Sequence, residues 1–311
     1  DSKTNVDFSR YYFFYANYLF NKNDKIKSEN IIDHSLNLYP EKIILSQFKK
    51  EINSKKKKEF SNQFSCQSLP NIVAETFYII SNVLSSQGAY NLSNLYLNLA
   101  IYLNPNFISY KALKAENLFD TKNYKKSKII YDEMYKKDFA YGWHSSKRIA
   151  AILEIQEKKE ESFKFLSDSF KKNKDHDIYE ILDYANFLKN KKKYVDSIKH
   201  YSQILNQIKS SHVLFPSVSQ GRGEAYERLG KWKEAEKDLL NSLNASPDQA
   251  YVLNYLAYTW IEKGIKLEQS LEMLRKANEL KNNDGYIIDS LGWALFKLKK
   301  YKEAKDYLQL A

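Results

Sequence analysis

The chain has 311 residues, 43% of them hydrophobic and 15% aromatic, with a formal net charge of +11. This apolar content excludes wholesale disorder, and eight Gly with five Pro are too few turn formers for a sheet-rich protein. The charge comes from 44 Lys against 5 Arg, so it reads as a solvated lysine coat; a nucleic-acid surface would favour the bidentate guanidinium.

The first predicted element is a helix through the apolar run Tyr11–Phe20, which at ten residues is too short to span a bilayer. Ala16 within it is followed twelve positions later by Ser28. The same two small residues, twelve apart, recur along the chain as Ser81/Ser93, Ala115/Ser127, Ala150/Ser162, Ala185/Ser197, Gly223/Ala235 and Gly292/Ala304. Ala257/Ser270 is the same pair stretched by one residue. Self-similarity near 35 residues marks stacked units that cannot bury their apolar faces singly. If the first small residue of each unit is numbered 8, position 11 is large and apolar throughout, from Leu19 to Leu295. Position 24 is likewise Ile, Leu or Tyr, from Ile32 to Leu308. These spacings put 8 and 11 on one helix face, and 20 and 24 on one face of a second helix. Small side chains let the two helices approach, and the large ones fill the layer beside them.

Between Glu41 and Asn53 the spacing predicts one further helix, after which Lys55 to Lys58 and a Ser/Asn/Gln-rich stretch to Pro70 break the register. We read 41–73 as a degenerate unit with a Lys-rich loop, following an N-terminal unit over 1–40. From 74 to 311 a continuous array is expected, with units starting near 74, 108, 143, 178, 216, 250 and 285. The chain stops at Ala311 within its last unit, so we expect further chain or another element over Leu308 and Leu310. The start at Asp1 leads us to expect a processed or truncated product.

The pattern resembles the tetratricopeptide repeat over eight units. The resemblance implies an all-α fold: a right-handed superhelical α-solenoid of stacked helical hairpins, about eight repeats plus the degenerate unit. The stretches Gly223–Gly230, Pro247–Leu256 and Asp284–Trp293 further resemble a family of alphaproteobacterial repeat proteins of undefined activity. That family's members commonly begin with an export signal, which implies the bacterial envelope or periplasm, with the cytoplasm as the alternative.

No constellation for catalysis is found. His34, His144, His176, His200 and His212 are scattered without ligand spacing, and Cys66 stands alone, so neither a metal, a disulfide nor a cofactor is expected. Gly221-Arg222-Gly223 falls at positions 6 to 8 of a first helix, where packing explains it better than phosphate binding. Lys147 and Arg148 are the one partial match to a carboxylate clamp.

By resemblance, the first helix of each unit lines a concave groove, with positions 2, 5, 9, 12 and 13 facing a ligand. Those positions give Tyr251, Asn254, Tyr258, Tyr286, Asp289, Trp293 and Lys297 near the C-terminus, and Arg10, Asn17, Tyr78 and Asn82 near the N-terminus. Rigid aromatics with polar tips beside amides and single charges suit a peptide hot spot. The expected function is a non-enzymatic adaptor that holds a peptide or helix of a partner protein. The alternatives are a structural subunit using its ends and rim, and an RNA-binding repeat. The last is disfavoured because position 5 shows no repeated polar code.

Overall fold

The computed structural model describes residues 7–54, 63–136, 139–173 and 175–311. Among the described residues there are seventeen α-helices and no strand, and the chain divides into two compact units, Asp1–Lys174 and Asp175–Ala311. The all-α repeat architecture read from the sequence is the one observed.

In the first unit the helical hairpins are α1 (Ser9–Asn21) with α2 (Lys25–Leu38), α4 (Leu69–Ser86) with α5 (Tyr90–Leu103), α6 (Ile108–Asp120) with α7 (Tyr124–Tyr135), and α8 (Phe139–Ile155) with α9 (Lys159–Lys172). Among the described residues helix α3 (Ile43–Asn53) has no second helix. The run Lys55 to Lys58 lies outside the described residues. In the second unit the hairpins are α10 (Ile178–Asn190) with α11 (Tyr194–Leu205), α12 (Phe215–Arg228) with α13 (Trp232–Ala245), α14 (Ala250–Glu262) with α15 (Leu267–Leu280), and α16 (Gly285–Lys297) with α17 (Tyr301–Leu310).

The small pairs meet inside each hairpin. Ala16, Ser28, Ser81, Ser93, Ala115 and Ser127 are all 0% exposed. In the first unit the contact is also a hydrogen bond across the hairpin. The Ser28 hydroxyl donates to the Ala16 carbonyl (2.8 Å), Ser93 to Ser81 (2.8 Å), Ser127 to Ala115 (2.9 Å) and Ser162 to Ala150 (2.9 Å). A serine therefore both leaves room for the neighbouring helix and satisfies its own hydroxyl, which burial would otherwise penalise. In the second unit Ser197 and Ser270 donate back to their own helices, to Tyr194 and Lys266.

The turn inside each hairpin is also shared. Position 15 has a left-handed backbone in all eight: Asn23, Gly88, Lys122, Glu157, Lys192, Gly230, Gly264 and Lys299, with φ between 58° and 76°. The next N–H donates back to the carbonyl of position 11, as in Asn123 to Leu118 (2.8 Å) and Lys231 to Tyr226 (2.9 Å). This is the closing bond of a Schellman-type helix end. Five of the eight left-handed residues carry side chains, at a cost of about 1 kcal/mol each that the closing bonds offset. Lys266, also left-handed at φ 49°, takes up the extra residue of the stretched pair Ala257/Ser270.

Helix α3 departs from simple stacking. It packs against α8, α2 and α1, and buries Ile44, Leu45 and Phe48. Phe48 stands edge-on to Phe13 of α1 at 5.5 Å and to Phe20 at 5.9 Å.

Candidate interaction surface

In the second unit the first helices α14 and α16 lie side by side. Asp284 caps α16, its Oδ1 accepting the N–H groups of Tyr286 (3.1 Å) and Ile287 (3.4 Å). Its Oδ2 accepts the Tyr251 hydroxyl at 2.8 Å, which ties the start of α14 to the start of α16. That hydrogen bond, with the backbone donors and Lys281, holds the Asp284 carboxyl below the usual range. Lys281 donates to the Tyr251 hydroxyl at 3.2 Å and lies 4.4 Å from the ring centre.

One to two turns on, Tyr258 is 36% exposed; partial burial and then Glu262, Asp289 and Tyr286 push its phenol up. Trp293 donates from Nε1 to Glu262 at 2.6 Å, stacks on Phe296 at 5.5 Å and carries the Lys297 ammonium 4.8 Å from its ring. Tyr251 and Tyr286 are 47% and 59% exposed, and Asp289 and Lys297 are exposed. Six of the seven C-terminal residues named from the sequence therefore share one partly open face. Asn254 does not share it: it is 0% exposed, and neither side-chain amide atom has a hydrogen-bond partner. Asp284 and Lys281, which lie between the numbered helix positions, were missed. The signal for Asp284 was available as an Asp directly before a helix start.

The N-terminal residues are placed differently. Arg10 makes a two-pronged pair with Glu75, Nε to Oε1 at 2.5 Å and Nη2 to Oε2 at 2.6 Å. It donates further to Ser109 (2.7 Å) and lies 3.8 Å from the Tyr78 ring centre. Tyr110 also donates to Glu75, at 3.2 Å. Arg10 and Tyr78 thus join α1, α4 and α6. Asn17 is 4% exposed and donates to the Phe64 carbonyl at 3.3 Å, because Phe64 folds over α1 and meets Phe14 at 4.3 Å. Of the four, Asn82 alone is exposed.

The carboxylate-clamp candidate is already engaged. Arg148 pairs with Glu116 through Nε (3.0 Å) and Nη2, and Glu116 also meets His144 (2.8 Å) and Tyr131 (2.6 Å). Burial would raise the Glu116 pKa, but His144, Tyr131 and Arg148 outweigh it and hold it at about 2. In the second unit Arg222 is similarly committed to Asp238, at 2.6 and 2.8 Å. Among the described residues no helix is long and apolar enough to cross a membrane.

No protein-family model matches the chain. It is similar to a TPR repeat-containing protein of Pseudomonas aeruginosa, 28% identical over 116 residues, 37% of this chain. The match spans 18% of that relative's length. Among solved structures it is similar to a tetratricopeptide repeat protein from Parabacteroides merdae, with TM-score 0.53 and 12% identity over 77% of this chain and 98% of that one. It is also similar to the C-terminal part of a TPR repeat-containing protein from Cytophaga hutchinsonii, with TM-score 0.52 and 13% identity over 75% and 93% of the two chains. At these identities the likeness is one of fold.

Proposed function

We propose that this chain, whose fold is that of tetratricopeptide-repeat proteins, works as a non-enzymatic scaffold that holds a segment of another protein on the α14/α16 face. The observation that carries the reading is the row Tyr251, Tyr258, Tyr286 and Trp293, kept partly open while hydrogen bonds to Asp284 and Glu262 fix two of the rings. Large rigid rings lose little conformational entropy on binding, and a ring already held loses less still. The exposed charges on the face are of both signs, Asp289 and Lys297 among them, so the ligand it suits is an extended or helical peptide with apolar anchors and few charges.

The test is photocrosslinking from a benzophenone side chain at Tyr258, with the captured protein identified by mass spectrometry. The capture is then repeated with a Tyr251→Ala/Trp293→Ala variant. A partner caught by the wild type and lost from the double variant, at unchanged helical circular dichroism, supports the reading. A partner held equally by both variants removes this face as the binding site.

A further inference from the structure

Between Leu69 and Asn104 the sequence holds a single charged residue, Glu75, in a chain of which 28% is charged. Glu75 is 8% exposed and neutralised by Arg10, so the outer surface of the α4–α5 hairpin carries no charge at all. Its place is taken by apolar side chains. On α5, Leu92, Leu95, Leu99 and Tyr102 recur at helical spacing and are 46%, 55%, 42% and 83% exposed.

The chain supplies its own control. At the register positions of Leu92, Leu95 and Leu99, α9 carries Glu161, Lys164 and Asp168, and α13 carries Glu234 and Lys237 at the first two. These two second helices are charged where their outer faces meet water; α5 carries leucine at all three positions.

Helix α4 adds a second uncovered stripe, and the fold explains it. Positions 7 and 10 of a first helix are where the preceding hairpin's second helix packs. At those positions Ile149 and Ile152 are 2% and 0% exposed, and Leu291 and Ala294 are 1% and 0%. Their counterparts on α4, Ile80 and Val83, are 38% and 51% exposed, and Ile79 beside them is 49% exposed. Helix α3, which precedes α4 in the chain, packs on α8, α2 and α1 instead. Among the described residues, no helix supplies the leading face of α4 with the layer that the later repeats in its unit receive.

We propose that a second copy of this chain covers the α4–α5 face, each copy presenting the same hairpin. The face is apolar and uncharged on both copies, so burying it against itself is what can outweigh the repulsion between two bodies that each carry +11. An isologous contact then sets Leu and Ile against Leu and Ile, with no ion to desolvate. The partly exposed apolar side chains amount to on the order of 800 Å², about one side of a standard protein–protein interface and more than an ordinary monomer leaves open.

The experiment is sedimentation velocity of the chain from about 1 to 100 µM, with the wild type, Leu95→Glu/Leu99→Glu, and Ile129→Glu as a control on the outer face of α7. All the substituted residues are more than two-fifths exposed, so each variant retains its core. The wild type is expected to dimerise, and more tightly at 1 M than at 0.1 M salt, because screening weakens the repulsion between the copies. The double substitution is expected to raise the dissociation constant at least tenfold, and the control to leave it within twofold. A wild type that stays monomeric at 100 µM overturns the proposal, as does a dimer that the double variant retains. A monomer that instead co-sediments with phosphatidylcholine vesicles overturns it in favour of a lipid surface.

Discussion

The side-chain oxygen of Gln47 on α3 accepts the backbone N–H of Tyr141 on α8 at 3.2 Å, across 94 residues of sequence. The N–H group lies in the first turn of α8, where no earlier carbonyl of the helix is available to it. A polar residue on the buried face of α3 thereby completes the start of a helix three hairpins further along.

That relationship changes what damage to α3 is expected to do. In a chain of nearest-neighbour repeats, Phe48→Ala would loosen only α1 and α2. Here the 0%-exposed ring is shared by a cluster that extends to Tyr141 and Ile152. Phe48→Ala is expected to cost about 3–5 kcal/mol and to lower amide hydrogen-exchange protection in α8 as well as in α1. Protection lost from α1 and α2 alone would show that α3 does not support α8.

Two glycines in first helices are expected to respond oppositely to alanine. A Cβ at Gly221 would lie 2.7 Å from Cζ of Tyr201, a ring that is 0% exposed and whose hydroxyl donates to Asn186. A Cβ at Gly285, the first residue of α16, would meet one atom, the Ala311 carbonyl oxygen at 3.4 Å, which is ordinary contact, and the residue is exposed. Gly221→Ala is expected to destabilise by about 1–3 kcal/mol. Gly285→Ala is expected to be neutral or to stabilise by up to about 1 kcal/mol through helix propensity. Urea unfolding that ranks the two the other way would contradict the packing described.

The Glu116 cluster predicts an acid-sensitive step. Its carboxyl titrates at about 2 in the fold against an ordinary 4.5, with Tyr131, His144 and Arg148 facing it from α7 and α8. A lowered pKa stabilises the fold fully above the ordinary value and loses that contribution as pH falls through the folded one. The stability difference between wild type and Glu116→Gln is therefore expected to close as pH falls from about 4.5 towards 2. Thermal melts at pH 7, 4.5, 3 and 2 measure it, and a gap independent of pH would refute the assignment.

Arg10 offers a test of structure against binding. Removing the guanidinium leaves the buried Glu75 carboxylate without its counter-charge inside the α1–α4–α6 junction, with only the Tyr110 hydroxyl of these groups still donating to it. Arg10→Ala is expected to destabilise by about 3–5 kcal/mol, and the Arg10→Met/Glu75→Gln double substitution by much less. Equal losses would mean that the pair is not what joins these helices.

Much of the repeat was legible because its constraint is local. A small residue is needed wherever two helices cross closely, and a large one beside it, so positions 8, 11, 20 and 24 announce themselves in the sequence. The shared left-handed residue was not legible, since Lys122, Glu157 and Lys192 carry no sign of the conformation that the closing hydrogen bond imposes on them. The C-terminal face followed from helical spacing for Tyr251, Tyr258 and Trp293. Asn254, at a position of the same set, points into the unit, because spacing gives a direction around the helix axis and not the depth of the neighbour.

By itself the sequence determined the element type, the hairpin pairing and the small-residue contact that closes each hairpin. These depend on residues within about a dozen positions of one another, and their geometry follows from helix period alone. The tertiary structure decided where α3 goes, and with it which faces are filled and which are left open. An amphipathic helix declares that it will bury Ile44, Leu45 and Phe48, but nothing local to it says against what. That choice is made by competition among distant surfaces. Its outcome covers Phe13 and leaves Ile80 and Val83 exposed.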